Sequence, residues 1–476
     1  MQFARARLPL ATLFSALPLT LLTAGGAGCG SSTNAADKDA GAAVVDSGVL
    51  DTGALQDSAA EASQPEAAAP ESGAPACPQP DGGLPAGYPA AHAPFPDVTY
   101  QGAGILAEPE VVTVTFQGDT LAPQLEQFDD DILQTCWWDD VRSSYCTGAN
   151  GAPPCLARGK VPANAHVELA MAAAATYTDA DVQTFVQQQV ASGAFPAPDA
   201  NTIYVVYFPE TTTISDPGLG TSCQTFGGYH GSTQVTPSGG SATSVAYAVI
   251  PRCALPPYFN TALDQLTFDA SHEITESATD PFASGQGAGF YLDFGNQANE
   301  AWNLTAGGEI GDLCVDLIGE SQNTPHDQYT AVGANGSYVV QRMWSINAAA
   351  AGGDPCVPVG PSDAPYFNTA IAAGAGLQVL SVGGSVTFEA DGFSTAPGTT
   401  WTLTGFDWTS YTTGTASSIT VTPNVTSVEN GTKVMVTLTL NSQPPQLAQG
   451  ISGAVFLLLA NSGTTFHSWS GIVIAN

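Results

Sequence analysis

The sequence predicts an α+β domain followed by an all-β, immunoglobulin-like sandwich. Three observations carry this. Between about residues 97 and 360, alternating apolar runs interleave with helical periodicity, the pattern of a mixed fold. From 361 to 476 only short alternating runs recur, separated by Gly, Pro and Asn turns, which is a sandwich pattern. Of the nine cysteines, all fall before residue 360, so any disulfides belong to the first part.

In the first domain, residues 110–116 (EVVTVTF) alternate and read as a strand. Residues 121–145 follow one helical pattern around Trp137 and Trp138. Asp129, Asp130 and Asp131 lack EF-hand ligand spacing and are assigned to a solvated helix face. Thr178 is placed as the N-cap of an amphipathic helix over 179–190. Residues 202–208 (TIYVVYF) read as a buried strand, and a long Gly/Ser/Thr loop leads to the next strand at 244–250. A helix over 263–279 ends at Asp280, before Pro281. Residues 329–344 read as a hairpin turning at 333–336.

The second domain offers seven runs: 377–382, 385–390, 400–404, 418–422, 433–440, 454–460 and 466–474. His467 lies in the last of these and reads as a structural histidine. No catalytic constellation is visible there, so the expected role is binding, spacing or stabilisation.

The N-terminal end predicts export. Residues 1–28 combine Arg5 and Arg7, an apolar run from 8 to 22, and small residues up to Gly28, the layout of a signal peptide. Cys29 follows Gly26-Ala27-Gly28, which resembles a bacterial lipoprotein signal whose cysteine is lipidated. Gly26 stands where leucine is usual, so ordinary secretion with a free Cys29 is the alternative. Segment 29–96 is rich in Ala, Gly, Ser, Pro and Asp and reads as a disordered tether. The expected location is an outer-membrane or cell-surface lipoprotein, or else the extracellular space. The membrane is a partner through this lipid only.

Nine basic residues against 43 acidic ones give a formal charge of −34, which argues against nucleic acid as a partner. An extracellular protein or glycan fits better. Setting Cys29 aside leaves an even number of cysteines, as disulfides in an exported chain require. The pairs Cys223–Cys253 and Cys314–Cys356 are expected, each closing one long loop.

Chemistry concentrates in residues 271–281, SHEITESATDP. His272, Glu273 and Glu276 spell H-E-x-x-E, one residue from the H-E-x-x-H of zinc peptidases. On a helix His272 and Glu276 share a face and suit one divalent ion. Glu273 sits where a general base acting on a metal-bound water would sit. Asp280 returns to that face as a third ligand, or else caps the helix end. Glu309 and Asp312 in GEIGDLC (308–314) complete the set, or else form a turn with two surface acids. His230 in FGGYHGS (226–232) is a ligand or a transition-state hydrogen-bond donor, or neither. The expected cofactor is a divalent metal, zinc first, with calcium and manganese as alternatives.

Three segments combine into a family resemblance: HEITESATDP at 272–281, GEIGDLCVD at 308–316, and VVQRMWS at 339–345 followed by Cys356. Their order and spacing resemble the Exordium, or phosphate-induced, family of plant secreted proteins and related bacterial exported lipoproteins, over about 97–358. The resemblance implies an extracellular domain with a zincin-like helix, in which His272, Glu276, Glu309 and Asp312 act together. Two functions stay open. One is a metal-dependent, peptidase-like hydrolase with Glu273 and His230 in the chemistry. The other is a non-catalytic surface binding or adhesion protein with a structural metal site or a buried hydrogen-bond network.

Overall fold

Thr202–Phe208 is buried at every position, which requires cover on both faces of its sheet. Alternation sends Ile203, Val205 and Tyr207 into one apolar core and Tyr204, Val206 and Phe208 into another. The computed structural model describes Cys77 and residues 84–476, apart from 149–150, 152–153, 257, 283–287, 294, 316–326, 361–362 and 449–450. The leader at 1–28, Cys29 and most of the 29–96 segment lie outside the described residues.

Five strands make the first sheet: β1 (Glu110–Thr115), β2 (His166–Glu168), β3 (Thr202–Phe208), β4 (Tyr229–Val235) and β5 (Thr243–Pro251). Their order is β2-β1-β3-β5-β4. The first four in that order run parallel, and β4 closes the edge antiparallel to β5. Parallel neighbours need crossovers. Helices α1 (Ala122–Ile132) and α2 (Cys136–Arg142) connect β1 to β2, and α3 (Asp179–Ser192) connects β2 to β3. Thr178 and Asp181 form a capping box at the start of α3.

Sequence reading and structure differ at three places here. The single helix expected over 121–145 is two, because Thr135 turns extended and its side chain caps the second helix through the Trp138 N–H. Asp129 and Asp131 are buried, not solvated. Asp129 accepts from Thr113 Oγ1 at 2.7 Å and Tyr207 OH at 2.8 Å, and Asp131 accepts from Asn335 N at 2.7 Å and Tyr338 OH at 2.8 Å. The long loop after β3 contains β4, an edge strand whose mixed polar composition hides its periodicity.

Helix α4 (Ala262–Thr279) starts in a second capping box, Thr261 with Asp264, and is buried from Gln265 to Thr279. Leu266, Ala270, Ile274 and Ala278 join the core that holds Ile203 and Val205. The opposite side is covered by a hairpin of β6 (Gln328–Val332) and β7 (Ser337–Gln341). Thr267 Oγ1 donates to Val339 O at 2.7 Å, and Gln341 N donates to Ser271 Oγ at 2.9 Å. The helix carrying HEITE therefore has no solvated face.

The C-terminal region is mostly β but includes a short helix, Trp408–Thr413, where an all-β region was expected. A four-stranded and a six-stranded sheet face each other, with Phe388 against Phe456 at 6.0 Å between ring centroids. Phe367–Ile371, a strand the sequence did not reveal, is buried at all five positions. Residues 84–96, expected as tether, include the buried Phe95. In this strap His92 stacks on Phe393 at 3.6 Å, and Ala90 N donates to Asn430 Oδ1 at 2.8 Å. Among the described residues four disulfides are present: Cys77–Cys136, Cys146–Cys155, Cys223–Cys253 and Cys314–Cys356. They are consistent with an exported protein. Among the described residues no helix is long and apolar enough to cross a membrane.

Candidate metal centre

Helical spacing sets His272 Nε2 3.0 Å from Glu276 Oε2. The GEIGDLC segment closes over this pair. Its Gly311 N–H and Asp312 N–H donate to Glu276 Oε1 at 3.0 and 3.2 Å, and Asp312 Oδ1 lies 3.8 Å from His272 Nε2. The segment is fixed by Trp344 N donating to Ile310 O at 2.9 Å and by the Cys314–Cys356 disulfide. Gly311 is required by space: a Cβ there would stand 2.7 Å from His272 Nδ1 and 2.8 Å from Glu276 Oε1.

The edge strand supplies the other histidine. His230 Nδ1 lies 3.5 Å from Glu273 Oε2 and 3.6 Å from Glu276 Oε2, and its Nε2 lies 3.5 Å from Glu309 Oε1. Gly228 lets this loop approach α4, since a Cβ there would stand 2.8 Å from Glu273 Oε1.

The network fixes which nitrogen of each ring carries the proton. Gln341 Nε2 donates to Gly311 O at 2.7 Å, so its Oε1 faces His272 Nδ1 at 2.8 Å. An amide oxygen only accepts, so Nδ1 is the donor. A neutral His272 then presents its Nε2 lone pair to the Glu276 carboxylate. His230 repeats the arrangement: Nε2 donates to the backbone oxygen of Asp280 at 3.2 Å, and Nδ1 faces Glu273 and Glu276. In both places a lone pair meets a carboxylate, and positive charge must lie between them, a proton or a cation.

Burial makes this acute. Glu273 and Glu276 are each 1% exposed and His272 is 0%. Glu273 Oε1 makes no hydrogen bond with any described residue, and Glu276 Oε2 faces the nitrogens of both histidines. Burial raises Glu273 against the opposing charge of His272. It raises Glu309 well above the usual carboxylate range, helped by the charge of Glu276. Asp280 rises to about 6, from burial opposed by the Gly289 N–H. Burial also acts on Glu276, but the charge of His272 overcomes it and holds the group at about 2. Burial would lower both histidines. The nearby carboxylates outweigh it and raise them well above 6.5, Glu309 foremost at His230 and Glu276 at His272.

The donor set fits a divalent ion. Bonds of about 2.1 Å place neighbouring ligand atoms about 3.0 Å apart around an octahedral ion and about 3.4 Å apart around a tetrahedral one. Two groups, His272–Glu276–Asp312 and His230–Glu273–Glu276, each hold their ligand atoms within 4.8 Å of one another.

The structure thus brings His230, His272, Glu273, Glu276, Asp280, Glu309 and Asp312 into one buried cluster. Asp280 both ends α4 and turns its carboxylate inward, accepting from Gly289 N at 2.6 Å. Glu309 and Asp312 are 2% and 3% exposed, not surface acids. Sequence reading missed Gln341 and Asp269, the latter a buried acid one turn before Glu273 and raised well above the usual range by burial. The available signal for Gln341 was a polar residue closing the apolar run YVVQ of β7.

No family model matches this chain, and no curated protein matches it. Among solved structures, one that aligns is the sialic acid binding region of the Streptococcus sanguinis SK1 adhesin bound to 3'sLn. Identity is 12% and the TM-score 0.17, covering 54% of this chain and 57% of that chain. The chain thus spans less than two thirds of that neighbour's length, and a likeness at this score decides neither fold nor function.

Proposed function

We propose that this is an exported surface protein whose α+β part is built around a buried divalent-metal centre. His272 Nε2, Glu276 Oε2 and Asp312 Oδ1 are its protein ligands. The observation that carries this reading is the His272 ring: Nδ1 is committed to Gln341, and Nε2 faces Glu276 Oε2 at 3.0 Å. Metal-ligating histidines have this form, with the far nitrogen bound to an acceptor. One imidazole with several carboxylates suits zinc or manganese, and the oxygen-rich surroundings extend the range toward calcium.

In this reading Cys29 carries the lipid and the C-terminal β region binds an extracellular protein or glycan. We read the α+β part as zincin-like, on the strength of an H-E-x-x-E helix packed under a sheet with an antiparallel edge strand. The C-terminal region is read as immunoglobulin-like, on its two facing sheets.

The closure of the centre favours a structural role, since catalytic sites keep an open position. Glu273 is 1% exposed and Gly228 lies against it. A hydrolase is the second reading, favoured by one observation: Glu273 Oε1 makes no hydrogen bond with any described residue, where a proton-accepting oxygen would be needed. A divalent ion would supply Lewis acidity there. Glu273 would hold the proton taken from water, with His230 beside it.

Metal analysis of the folded protein tests both readings. Stoichiometric metal in wild type, lost in His272→Ala, is expected. A wild type that stays metal-free after reloading overturns the centre. Hydrolysis by wild type that disappears in Glu273→Gln, with metal retained, would replace the structural reading by the catalytic one.

A further inference from the structure

We propose that the cluster holds a second divalent cation beside the first, bound by His230 Nδ1, Glu273 Oε2 and Glu276 Oε2, so that Glu276 bridges two ions. The proposal rests on the metal reading above and extends it.

The distances are the first argument. His230 Nδ1 lies 3.5 Å from Glu273 Oε2 and 3.6 Å from Glu276 Oε2. Direct N–H···O bonds run at about 2.7–3.2 Å, so these contacts are long for hydrogen bonds. They lie close to the spacing of about 3.4 Å between ligand atoms around a tetrahedral ion with bonds of about 2.1 Å.

The orientation of the ring is the second. His230 Nε2 is committed to the backbone oxygen of Asp280 at 3.2 Å. That leaves Nδ1 as the ligand nitrogen, aimed at two carboxylates. A backbone carbonyl on the far nitrogen is a usual partner of a metal-bound imidazole. Glu309 lies on the Nε2 side, 3.5 Å away, and stays outside both ligand sets.

The third argument is the shared residue. Glu276 Oε1 is held by the N–H groups of Gly311 and Asp312, so the carboxylate cannot rotate away. Its Oε2 faces both histidines. One ion at His272 leaves the contact of His230 with Glu273 to be bridged by a proton or by a second ion, and the spacings of 3.5 and 3.6 Å favour the ion.

The test uses Mn2+ on the full chain, after removal of endogenous metal. Two bound ions per chain, with an exchange-coupled electron paramagnetic resonance spectrum, are expected. His230→Ala and the near-isosteric Glu273→Gln should each bind one ion with an uncoupled spectrum, and that retained ion reports that the fold survives. One ion in wild type overturns the second site and leaves the first standing. Two coupled ions in both variants also overturn it. No bound ion at all overturns both sites.

Discussion

Gln341 Oε1 lies 2.8 Å from His272 Nδ1, although 69 residues separate the two in the chain. The contact selects the tautomer that turns Nε2 toward Glu276. Gln341→Leu keeps the volume and removes the acceptor. Loss of such an outer partner weakens metal binding by roughly 10–100-fold. Gln341→Glu keeps the acceptor for Nδ1 but loses the donor to Gly311 O, so its affinity should fall between those of wild type and Gln341→Leu. Competition with a chelator measures both. Equal affinity in Gln341→Leu and wild type would count against the tautomer argument.

Gly228→Ala should harm the site by crowding. The added Cβ would stand 2.8 Å from Glu273 Oε1 and 3.0 Å from its Cγ. Overpacking of this kind costs about 1–3 kcal/mol. Gly376→Ala is the control, since nothing lies within 4 Å of its Cβ position, and its effect should stay within about 0.5 kcal/mol. Denaturant midpoints compare the two. Similar midpoints would show that the loop yields.

Asp129 should make stability depend on pH. Burial raises its carboxyl to about 7, against hydrogen bonds from Thr113 and Tyr207. The folded value lies above the ordinary 3.8. Its contribution is therefore full below that value and is lost as pH rises through about 7. Asp129→Asn removes this titration. Wild type should lose stability relative to the variant between about pH 4 and about pH 8. Denaturation at several pH values checks this, and a constant difference would rule it out.

The Cys223–Cys253 disulfide spans 30 residues and anchors the loop that leads into β4. Replacing both cysteines by serine should cost about 3 kcal/mol. Amide exchange should rise first in residues 226–235, which carry His230. Loss of protection spread evenly over β1, β3 and β5 would show instead that the bridge acts on the whole sheet.

What sequence revealed follows how local each determinant is. Helix α4 was legible because its period, its stop at Asp280 and its chemistry are all contiguous. The two facing sheets were legible from alternation, yet Phe367–Ile371 was missed because a strand buried on both sides does not alternate. The acids of α1 were misread because their partners, Tyr207, Asn335 and Tyr338, come from distant strands and turns. Gln341 was missed for the same reason: its role exists only once β7 lies on α4.

The Cys77–Cys136 bridge has a mechanical consequence. It joins the chain before the strap of residues 84–96 to the first residue of α2. Tension applied upstream of Cys77 would pass through sulfur directly into α2, and the strap would carry none of it. The stacking of His92 on Phe393 is thereby shielded from load. Reduction of this one bridge would reroute the pull through the strap and peel it from the β region, so the redox state of a single pair decides where the molecule yields first.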